Sequence, residues 1–510
     1  MKGLALLGCV GLLGLPIRSP GPEPFRPHYH FTPERNWIND PNGLVFFAGD
    51  YHLFFQHNPF GDKWGHMSWG HAVSSDLVHW EQLPVALPEA DGIMIFSGSA
   101  VVDFRNSSGF GKDGQPPLVA IYTGNRTADG RQAQCIASST DHGRTWIKFP
   151  QNPVLDPGSN NFRDPKVFWH EPTQKWIMVV SKAEERRIQF YGSSNLKQWT
   201  RLSEFGPAGA STGVWECPDM FPLSIEGSRG RSAWVLIVNV GGGSPAGGSG
   251  TQYFVGHFDG TTFNTNALFA QTAAEPLWAD YGSDCYAAVS WSDVPKSDGR
   301  RIWIGWMSNW QYAQDVPTAP WRNAMTVPRE LSLRETAYGL RMIQKPIREL
   351  QRLRGHRQVF RGGSIQKANA WSRRAALGGD CLEMILELEP GGTGQCGARV
   401  FKGPEEETDV GFDEVSKRAF VDRSHSGSSE FHNGFAGIHH APAATHEGRL
   451  KLHILVDACS IEVFVNDGEV VFTDLVFPHP SSRQLELFAR ASDARVRSWE
   501  IWTLNPAFAW

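Results

Sequence analysis

Asp40-Pro-Asn-Gly-Leu-Val45 is the stretch of sequence that decides the fold, because four related phrases follow it along the chain. Each phrase joins a polar or turn-forming start to a short β-prone run, and successive starts lie 57, 67, 52 and 68 residues apart. A repeat of roughly 60 residues built from short strands predicts a five-bladed β-propeller with long loops. The later phrases are Ser97-Gly-Ser-Ala-Val-Val102, Asp164-Pro-Lys-Val-Phe168, Glu216-Cys-Pro-Asp-Met-Phe221 and Asp284-Cys-Tyr-Ala-Ala-Val289.

A second series of phrases ends in an aromatic residue. Each of them follows a β-prone run, which predicts the same turn before an outer strand in successive units. Helical periodicity is almost absent between residues 40 and 330, so the pattern indicates an all-β protein. The phrases are Ser75-Asp-Leu-Val-His-Trp80, Thr140-Asp-His-Gly-Arg-Thr-Trp146, Ser194-Asn-Leu-Lys-Gln-Trp199 and Phe258-Asp-Gly-Thr-Thr-Phe263.

The propeller repeat carries a consequence for the acidic residues that begin its units. The first strand of each blade lines the central channel, so equivalent strand starts converge at one mouth of that channel. The repeat therefore predicts that Asp40, Asp164 and Glu216 face a common funnel, with Asp284 as a further candidate. The alternative is that these are turn or strand-start residues without a shared site, because Asp-Pro is a frequent turn pair.

Length and composition bound the classes of protein to consider. The chain has 510 residues, which favours two domains. The formal net charge is −5, and no run is rich in Lys or Arg, which argues against nucleic acid and against an anionic membrane surface as the main partner. The 20 Trp, 31 Phe and 53 Gly residues suit an all-β protein with tight turns and flat apolar platforms. A neutral or weakly polar substrate fits this balance.

The chain divides into four predicted segments. Residues 1–21 resemble a signal peptide, because Lys2 precedes an apolar stretch that is too short to span a bilayer, and this predicts a secreted, extracellular protein without a membrane span. Residues 25–340 form the predicted propeller, and residues 341–358 form a charged linker. Residues 359–510 form a predicted β-sandwich, in which Asn466-Asp-Gly468 marks a hairpin turn.

The sequence contains no metal-binding or cofactor-binding pattern that we can identify. The six Cys residues after the predicted signal lack C-x-x-C spacing, and whether Cys381 and Cys396 form a disulfide stays open. His66 and His71 are five residues apart, which is not the spacing of a helical ligand pair. The Gly-rich stretch 241–250 lacks the Gly-Lys-Ser/Thr ending of a phosphate loop. We therefore expect neither a metal nor an organic cofactor.

A series of motifs along the chain resembles glycoside hydrolase family 32, which comprises the invertases, levanases and inulinases. The similarity covers roughly residues 25–510 and is strongest to the bacterial levanase type, and the segment Leu455–Glu469 resembles the accessory sandwich of that family. The motifs occur in the order Asn39-Asp-Pro-Asn-Gly, Phe55-Gln56, Trp64-Gly, Phe96-Ser-Gly-Ser, Arg163-Asp-Pro, Trp215-Glu-Cys and Ser308-Asn-Trp310.

The resemblance implies a role for each matching residue. Asp40 corresponds to the nucleophile that attacks the anomeric carbon of fructose, and Glu216 to the general acid that later acts as general base. Asp164, oriented by Arg163, corresponds to the residue that binds fructose hydroxyls and stabilises the transition state. The residues that correspond to the wall of the fructose pocket are Asn39, Gln56, Trp64, Phe96, Ser97 and Trp310.

Carbohydrate chemistry is consistent with this division of roles. Cleavage of a glycosidic bond needs one carboxylic acid to protonate the leaving oxygen and one carboxylate to stabilise the oxocarbenium-like carbon, and retaining enzymes hold the two about 5–5.5 Å apart. At that spacing the charge on Asp40 disfavours ionisation of Glu216. We expect Arg163 to balance the charge of Asp164, which suits Asp164 to accepting hydrogen bonds from sugar hydroxyls.

The expected activity is that of a retaining β-fructofuranosidase, which hydrolyses terminal β-D-fructofuranosyl residues of levan, inulin and sucrose. One alternative is a fructosyltransferase on the same scaffold, which passes fructose to a sugar hydroxyl instead of water. Another is a non-catalytic carbohydrate-binding propeller, for which a missing carboxylate is expected, although all three are present. The preference among the substrates and the oligomeric state stay open, because both depend on loops and surfaces whose shape a sequence does not display.

Overall fold

The computed structural model describes residues 23–228, 230–265 and 276–508. Nearly all regular structure in these ranges is β-strand, and one α-helix occurs in them, α1 (Ile365–Arg374). The predicted signal peptide at residues 1–21 lies outside the described residues. Thus the all-β class is confirmed for the described chain.

No helix in the described ranges combines the length and the apolar character needed to cross a membrane.

Five sheets form the blades of a propeller, and the successive main strands of each blade are antiparallel and follow chain order from the channel outward. The first blade contains β1 (Asn36–Phe47), β2 (Asp50–Asn58), β3 (Ser68–Ser74) and β4 (Glu81–Leu87). The second contains β5 (Ile93–Val102), β6 (Leu118–Arg126), β7 (Gln132–Ser139), β8 (Ile147–Lys148) and β9 (Leu155–Ser159). The third contains β10 (Phe162–His170), β11 (Lys175–Lys182), β12 (Arg187–Ser193) and β13 (Thr200–Phe205).

The last two blades complete the ring. The fourth contains β14 (Trp215–Ser224), β15 (Ser232–Val240), β16 (Gly250–Phe258), β17 (Phe263–Asn264) and β18 (Leu277–Trp278). The fifth contains β19 (Tyr286–Ser290), β20 (Arg301–Met307), β22 (Ala324–Met325), β23 (Arg329–Thr336) and β24 (Gly339–Pro346), while the short β21 (Trp321–Arg322) pairs with β1 of the first blade. The innermost strands touch in sequence, from β1 through β5, β10, β14 and β19 back to β1, so the predicted five-bladed propeller is confirmed.

The recurring aromatic phrases occupy equivalent turns, as predicted. Trp80, Trp146 and Trp199 each stand directly before an outer strand, and Phe263 begins one. In the three Trp cases the indole Nε1 donates a hydrogen bond to the carbonyl oxygen three residues earlier, at 3.0–3.2 Å. The aromatic residue therefore recurs because its ring closes the turn that feeds the outer strand.

Two further sheets form a β-sandwich after the propeller. One sheet has the order β25 (Arg354–Ser364), β35 (Arg495–Leu504), β26 (Leu382–Glu389), β31 (Leu450–Asp457), β32 (Ser460–Val465) and β33 (Val470–Leu475). The other has the order β30 (Ile438–Pro442), β29 (Arg418–His425), β28 (Glu407–Asp413), β27 (Gln395–Lys402) and β34 (Gln484–Arg490). Their facing side chains, such as Leu386, Phe412, Leu452 and Trp499, form one buried core, and each contributes about 1.5–3 kcal/mol by leaving water.

The expected linker at 341–358 is wrong in its bounds. Residues 339–346 form β24, which pairs with β23 along its whole length, and residues 354–364 form β25 of the sandwich. A short 3-10 turn, Arg348–Leu353, spans the interval, and its Leu350 and Leu353 are buried. The charged residues that suggested a linker are divided between the two strands and this turn, in which Arg352 is exposed between the buried leucines.

The sandwich docks on the propeller through the predicted hairpin and through buried ion pairs. Asn466, Asp467 and Gly468 form the turn between β32 and β33. Position 468 requires glycine, because a Cβ there would lie 1.8 Å from the carbonyl oxygen of Gln344 in β24. This close approach brings the two domains into backbone contact, since the amide of Gln344 donates to the carbonyl of Gly468 at 3.1 Å.

The six Cys residues of the described chain are free thiols in this structure. Cys381 and Cys396, whose pairing the sequence leaves open, are therefore not joined, and the thiol of Cys381 contacts the carbonyl oxygen of Leu504 at 3.4 Å.

Candidate active site

Each innermost strand of the propeller contains a β-bulge at the same level. In every case the pairing with the second strand breaks across two residues, which therefore project differently from the rest of the strand. Bulges of this kind redirect side chains and are common beside active sites. The five bulged pairs are Asn39-Asp40, Phe96-Ser97, Asp164-Pro165, Cys217-Pro218 and Ala287-Ala288.

Three of these bulges place a non-glycine residue in the left-handed backbone region. The φ angles are 66° at Asp164, 43° at Cys217 and 52° at Ala287. This conformation costs on the order of 1–2 kcal/mol for a residue with a Cβ, so neighbouring contacts have to maintain it. The amide of Asp164 donates to Oγ1 of Thr123 at 2.9 Å, and the amide of Cys217 donates to Oδ2 of Asp164 at 3.0 Å.

All ten site residues expected from the sequence line one cavity of about 320 Å³ at this mouth of the channel. Its remaining wall comes from Val214 and Gly241. The ten are Asn39, Asp40, Gln56, Trp64, Phe96, Ser97, Arg163, Asp164, Glu216 and Trp310.

Asp40 is buried in this cavity and is held by three donors. Its Oδ2 accepts from Oγ of Ser97 at 2.6 Å and from the thiol of Cys217 at 3.2 Å, while Oδ1 accepts from Nδ2 of Asn39 at 3.0 Å. Burial raises the pKa of the Asp40 carboxyl above its usual value, the nearby Glu216 raises it further, and the three hydrogen bonds oppose both effects. The carboxylate is thus fixed in one orientation.

The carboxylate of Glu216 accepts hydrogen bonds from one guanidinium group and one hydroxyl group. Its Oε1 accepts from Nε and Nη2 of Arg163 at 3.0 and 2.9 Å. Its Oε2 accepts from the hydroxyl of Tyr286 at 2.6 Å. Burial, followed by the charge of Glu216, raises the pKa of Tyr286 well above its usual value, so this phenol stays a neutral donor.

Arg163 does not serve Asp164 in the way we expected. Its hydrogen bonds go to Glu216, and its closest approach to Asp164, from Nε to Oδ2, is 3.9 Å. The physical reason is the bulge that begins at Asp164: both side chains reach the fourth blade, but Arg163 meets the carboxylate of Glu216 while Asp164 meets the backbone beside it. Asp164 is oriented instead by the amide of Cys217.

The pKa of the Asp164 carboxyl lies well above its ordinary value. Its burial raises its pKa to about 7, with Glu216 and Asp40 adding to the increase and Arg163 opposing it. The cause is that three acidic groups share one small cavity with a single guanidinium.

Aromatic rings form the walls above the carboxylates. Trp310 packs nearly parallel to Trp37, with ring centroids 6.1 Å apart, and contacts Trp306 at 4.8 Å. Across the cavity, Trp64 is 40% exposed and meets Phe96 edge to face at 6.0 Å. Exposed aromatic rings of this kind offer flat apolar faces on which the C–H groups of a sugar ring can pack.

Asp284 does not face the funnel, which corrects the sequence-based expectation. It is fully buried between the domains, where Oδ1 accepts from the hydroxyl of Tyr312 at 2.7 Å and Oδ2 from Nη1 of Arg423 at 2.7 Å. In the fifth blade Tyr286 points at the site instead. Tyr286 stands directly before its bulge, as Arg163 and Glu216 do before theirs, and the repeated phrases do not mark where these bulges fall.

Within the described ranges no group of three or more His, Cys, Asp or Glu side chains has an arrangement that could hold a metal ion. That neither metal nor cofactor takes part stays a prediction.

A propeller channel whose mouth gathers acidic side chains beneath aromatic walls defines a class of protein, the glycoside hydrolases, because paired carboxylates are what the cleavage of a glycosidic bond requires. The chain belongs to glycosyl hydrolase family 32. Residues 30–346 match the "Glycosyl hydrolases family 32 N-terminal domain", and residues 349–503 match the "Glycosyl hydrolases family 32 C terminal". The resemblance identified from the motifs, and the enzyme class it implied, are therefore confirmed.

Characterised relatives match along most of the chain. A levanase of Bacillus subtilis (strain 168) is 50% identical over 488 residues, which covers 95% of this chain and 71% of that protein. An extracellular exo-inulinase of Aspergillus awamori is 41% identical over 499 residues, covering 92% of each protein. The crystal structure of exo-inulinase from Aspergillus awamori superposes with a TM-score of 0.88 at 37% identity, covering 95% of this chain and 99% of that one.

Proposed function

We propose that this protein is a secreted, retaining β-fructofuranosidase that releases terminal β-D-fructofuranosyl residues from levan, inulin and sucrose. The observation that carries the proposal is the convergence of Asp40, Asp164 and Glu216, from three different blades, on one cavity of about 320 Å³. That volume lies near the lower end of the range of about 300–1,000 Å³ for small-molecule pockets, which suits a terminal unit better than a chain that passes through. Similarity to an exo-inulinase and a levanase supports the choice of fructans as substrates.

In the proposed reaction Asp40 is the nucleophile. Its carboxylate attacks the anomeric carbon of the terminal fructose as the bond to the leaving oxygen breaks, which gives a covalent fructosyl-enzyme. The hydrogen bonds from Ser97 and Asn39 support this role, because they hold the carboxylate in a single rotamer beneath the sugar. Water then attacks the same carbon and releases fructose with its configuration retained.

Glu216 is the proposed proton donor and acceptor. In the first step it protonates the leaving oxygen, and the negative charge that this transfer leaves on Glu216 is compensated by Arg163. In the second step the resulting carboxylate removes a proton from the attacking water. The hydroxyl of Tyr286 keeps the carboxyl group aligned through both steps.

Asp164 is the proposed binder of fructose hydroxyls. Burial beside two other acidic groups keeps its pKa near 7, so it can both accept hydrogen bonds from hydroxyls and donate one when protonated. Hydrogen bonds of this kind strengthen as charge develops on the sugar ring and stabilise the transition state.

The test is the release of fructose from sucrose, inulin and levan by the wild type and by Glu216→Gln. We expect the substitution to reduce kcat about 10²–10⁴-fold, because general acid–base catalysis contributes about that much. Glu204→Gln, on an outer strand of the third blade, is the matched control and should retain wild-type activity. A Glu216→Gln variant as active as the wild type would eliminate the assignment of the acid.

The fructosyltransferase alternative is separated by products. At high sucrose concentration a hydrolase releases equal amounts of glucose and fructose, whereas a transferase releases glucose in excess and forms oligosaccharides. Secretion is supported by the relative described as extracellular and is tested by assaying culture medium and cell extract of the producing organism.

A further inference from the structure

Phe60 is, at 77%, the most exposed of the large hydrophobic side chains in the described ranges. It lies in the segment 58–66 between β2 and β3, which we call the rim loop and which also carries Trp64 of the cavity wall. We propose that Phe60 and His66 form an outer platform that binds the later fructose units of a fructan chain whose terminal unit occupies the cavity. The proposal rests on the proposed function and extends it to polymer recognition.

The backbone on both sides of Phe60 is tied to the strand that carries Asp40. The carbonyl oxygen of Pro59 accepts from Nδ2 of Asn36 at 2.8 Å, and that of Gly61 accepts from the amide of Trp37 at 3.0 Å. The ring is therefore held out from the protein by a backbone that cannot collapse over it. An apolar group fixed in water in this way binds a partner without the entropy loss that ordering a mobile loop would require.

The rim loop is also closed on itself and fastened across the cavity. Oδ1 of Asn58 accepts from the amide of Phe60 at 2.9 Å, and its Nδ2 donates to the carbonyl oxygen of Lys63 at 2.8 Å. Asp62 accepts from Nη2 of Arg322 at 2.6 Å, and Lys63 donates to the carbonyl oxygen of Gln314. The latter two contacts reach the segment that follows Trp310, so both sides of the cavity hold the loop in place.

The exposed surface of the platform has the chemistry that a sugar ring needs. The rings of Phe60 and His66 meet edge to face, with centroids 5.3 Å apart and an angle of 87°. Nδ1 of His66 contacts Oε2 of Glu89 at 2.8 Å, which orients the imidazole and directs its Nε2 away from that carboxylate. An aromatic face beside a fixed imidazole matches the alternating C–H and hydroxyl groups of a furanose.

The platform continues the aromatic wall of the cavity. Phe96 and Trp64 are in contact at the rim. Only Gly65 separates Trp64 from His66, so the Cα atoms of Trp64 and His66 lie within about 7 Å of each other. In the proposed path a chain that leaves the cavity past Trp64 meets His66 and, in ring contact with it, Phe60. Phe104, which is 65% exposed, lines a different cavity at the opposite mouth of the channel and provides a matched aromatic residue outside this path.

The experiment compares kcat/KM on levan, inulin and sucrose for the wild type, Phe60→Ala, Phe60→Trp and Phe104→Ala. We expect Phe60→Ala to lower kcat/KM on both polymers roughly 3- to 10-fold, through KM, and to leave sucrose unchanged, because sucrose is too short to reach the platform. Phe60→Trp should retain activity on the polymers, and Phe104→Ala should resemble the wild type throughout.

Two results would overturn the platform. One is a kcat/KM of Phe60→Ala on levan and inulin that equals that of the wild type, and the other is an equal loss on the polymers and on sucrose, which would mean that Phe60 only supports the fold of the rim loop. Both leave the proposed function standing. By contrast, a wild type that releases fructose from none of the three substrates would remove the proposed function itself.

Discussion

Arg163 directs two N–H groups, from Nε and Nη2, at the same carboxylate oxygen of Glu216, at 3.0 and 2.9 Å. The two residues come from neighbouring blades, so this contact joins the third and fourth innermost strands at the level of the bulges. A guanidinium placed here compensates the charge that Glu216 acquires each time it gives up its proton. The link between blades is therefore also part of the proposed proton transfer.

Replacing Arg163 should reduce turnover more than binding. We expect Arg163→Met to lower kcat about 10²–10³-fold, because it removes the charge and both hydrogen bonds, and Arg163→Lys to lower it less, about 10-fold, because only the charge is kept. Initial rates on sucrose measure both effects. Arg201→Lys, on an outer strand of the same blade, is the control, and a kcat unchanged in Arg163→Met would contradict the proposed role.

Asp164→Asn should lower activity and raise stability. The folded-state pKa of Asp164 is about 7 and its ordinary value is 3.8, so between these values the folded protein binds more protons than the unfolded chain. The free energy of unfolding contributed by this group therefore falls as pH rises from about 4 to 7. Asp164→Asn removes this loss, and we expect it to raise the free energy of unfolding by on the order of 1–3 kcal/mol at pH 8 and to change it little at pH 4.

Denaturant unfolding of Asp164→Asn and wild type at both pH values checks this sign, with the exposed Asp113→Asn as control. Activity of Asp164→Asn on sucrose should fall at least about 10²-fold. A variant that is less stable than the wild type at pH 8 would show that the carboxyl group is not the source of strain that its burial implies.

Much of the fold and most of the candidate site could be predicted from the sequence, since the repeat identifies which strand of each blade lines the channel. The local register could not, because it depends on bulges at Asp164, Cys217 and Ala287, and none of these is the glycine that usually marks a left-handed backbone. That is why the repeated phrase suggested Asp284, whereas it is Tyr286 that contacts Glu216.

Sequence patterns could not predict the contacts between the two domains either. Asp284 meets Arg423, and His30 meets Asp457, across separations of 139 and 427 residues. No local periodicity reports such a pairing, because each side chain stands in a segment whose own pattern is that of an ordinary strand or turn.

His30 should make the stability of the protein depend on pH on the alkaline side. Its imidazole is buried between Asp457, at 2.7 Å from Nδ1, and Glu462, at 2.8 Å from Nε2, and Glu462 is shared with Arg329. Burial lowers the pKa of His30, but the hydrogen bonds and charges of the two carboxylates outweigh it and raise the pKa to about 9. The added stability is complete below the unfolded pKa of about 6.5 and is lost as pH rises through 9.

We expect this group to lower the free energy of unfolding of the wild type by about 2–3 kcal/mol between pH 6.5 and pH 9.5. His30→Gln should be less stable than the wild type at pH 6.5, and its free energy of unfolding should not show this decrease with pH. Denaturant titrations at the two pH values measure it, with the exposed His425→Gln as control. An identical pH slope in His30→Gln and wild type would rule out the protonated imidazole as its source.

Arg423 of the sandwich should support the Trp310 side of the cavity through Tyr312. Its Nη1 donates to Asp284 at 2.7 Å, its Nη2 donates to the hydroxyl of Tyr312 at 2.9 Å, and its guanidinium lies 4.1 Å from the ring centroid of Phe435. Arg423→Met leaves Asp284 buried without its cation, and the loss of one partner of a buried pair costs about 3–5 kcal/mol. Adding Asp284→Asn removes the uncompensated charge, so the double variant should regain part of that stability.

Because Tyr312 is two residues from Trp310, KM for sucrose should rise in Arg423→Met under conditions in which the variant is still folded. Thermal unfolding and sucrose kinetics on the two single variants and the double variant test both parts, and additive losses in the double variant would mean that Arg423 and Asp284 are not energetically coupled.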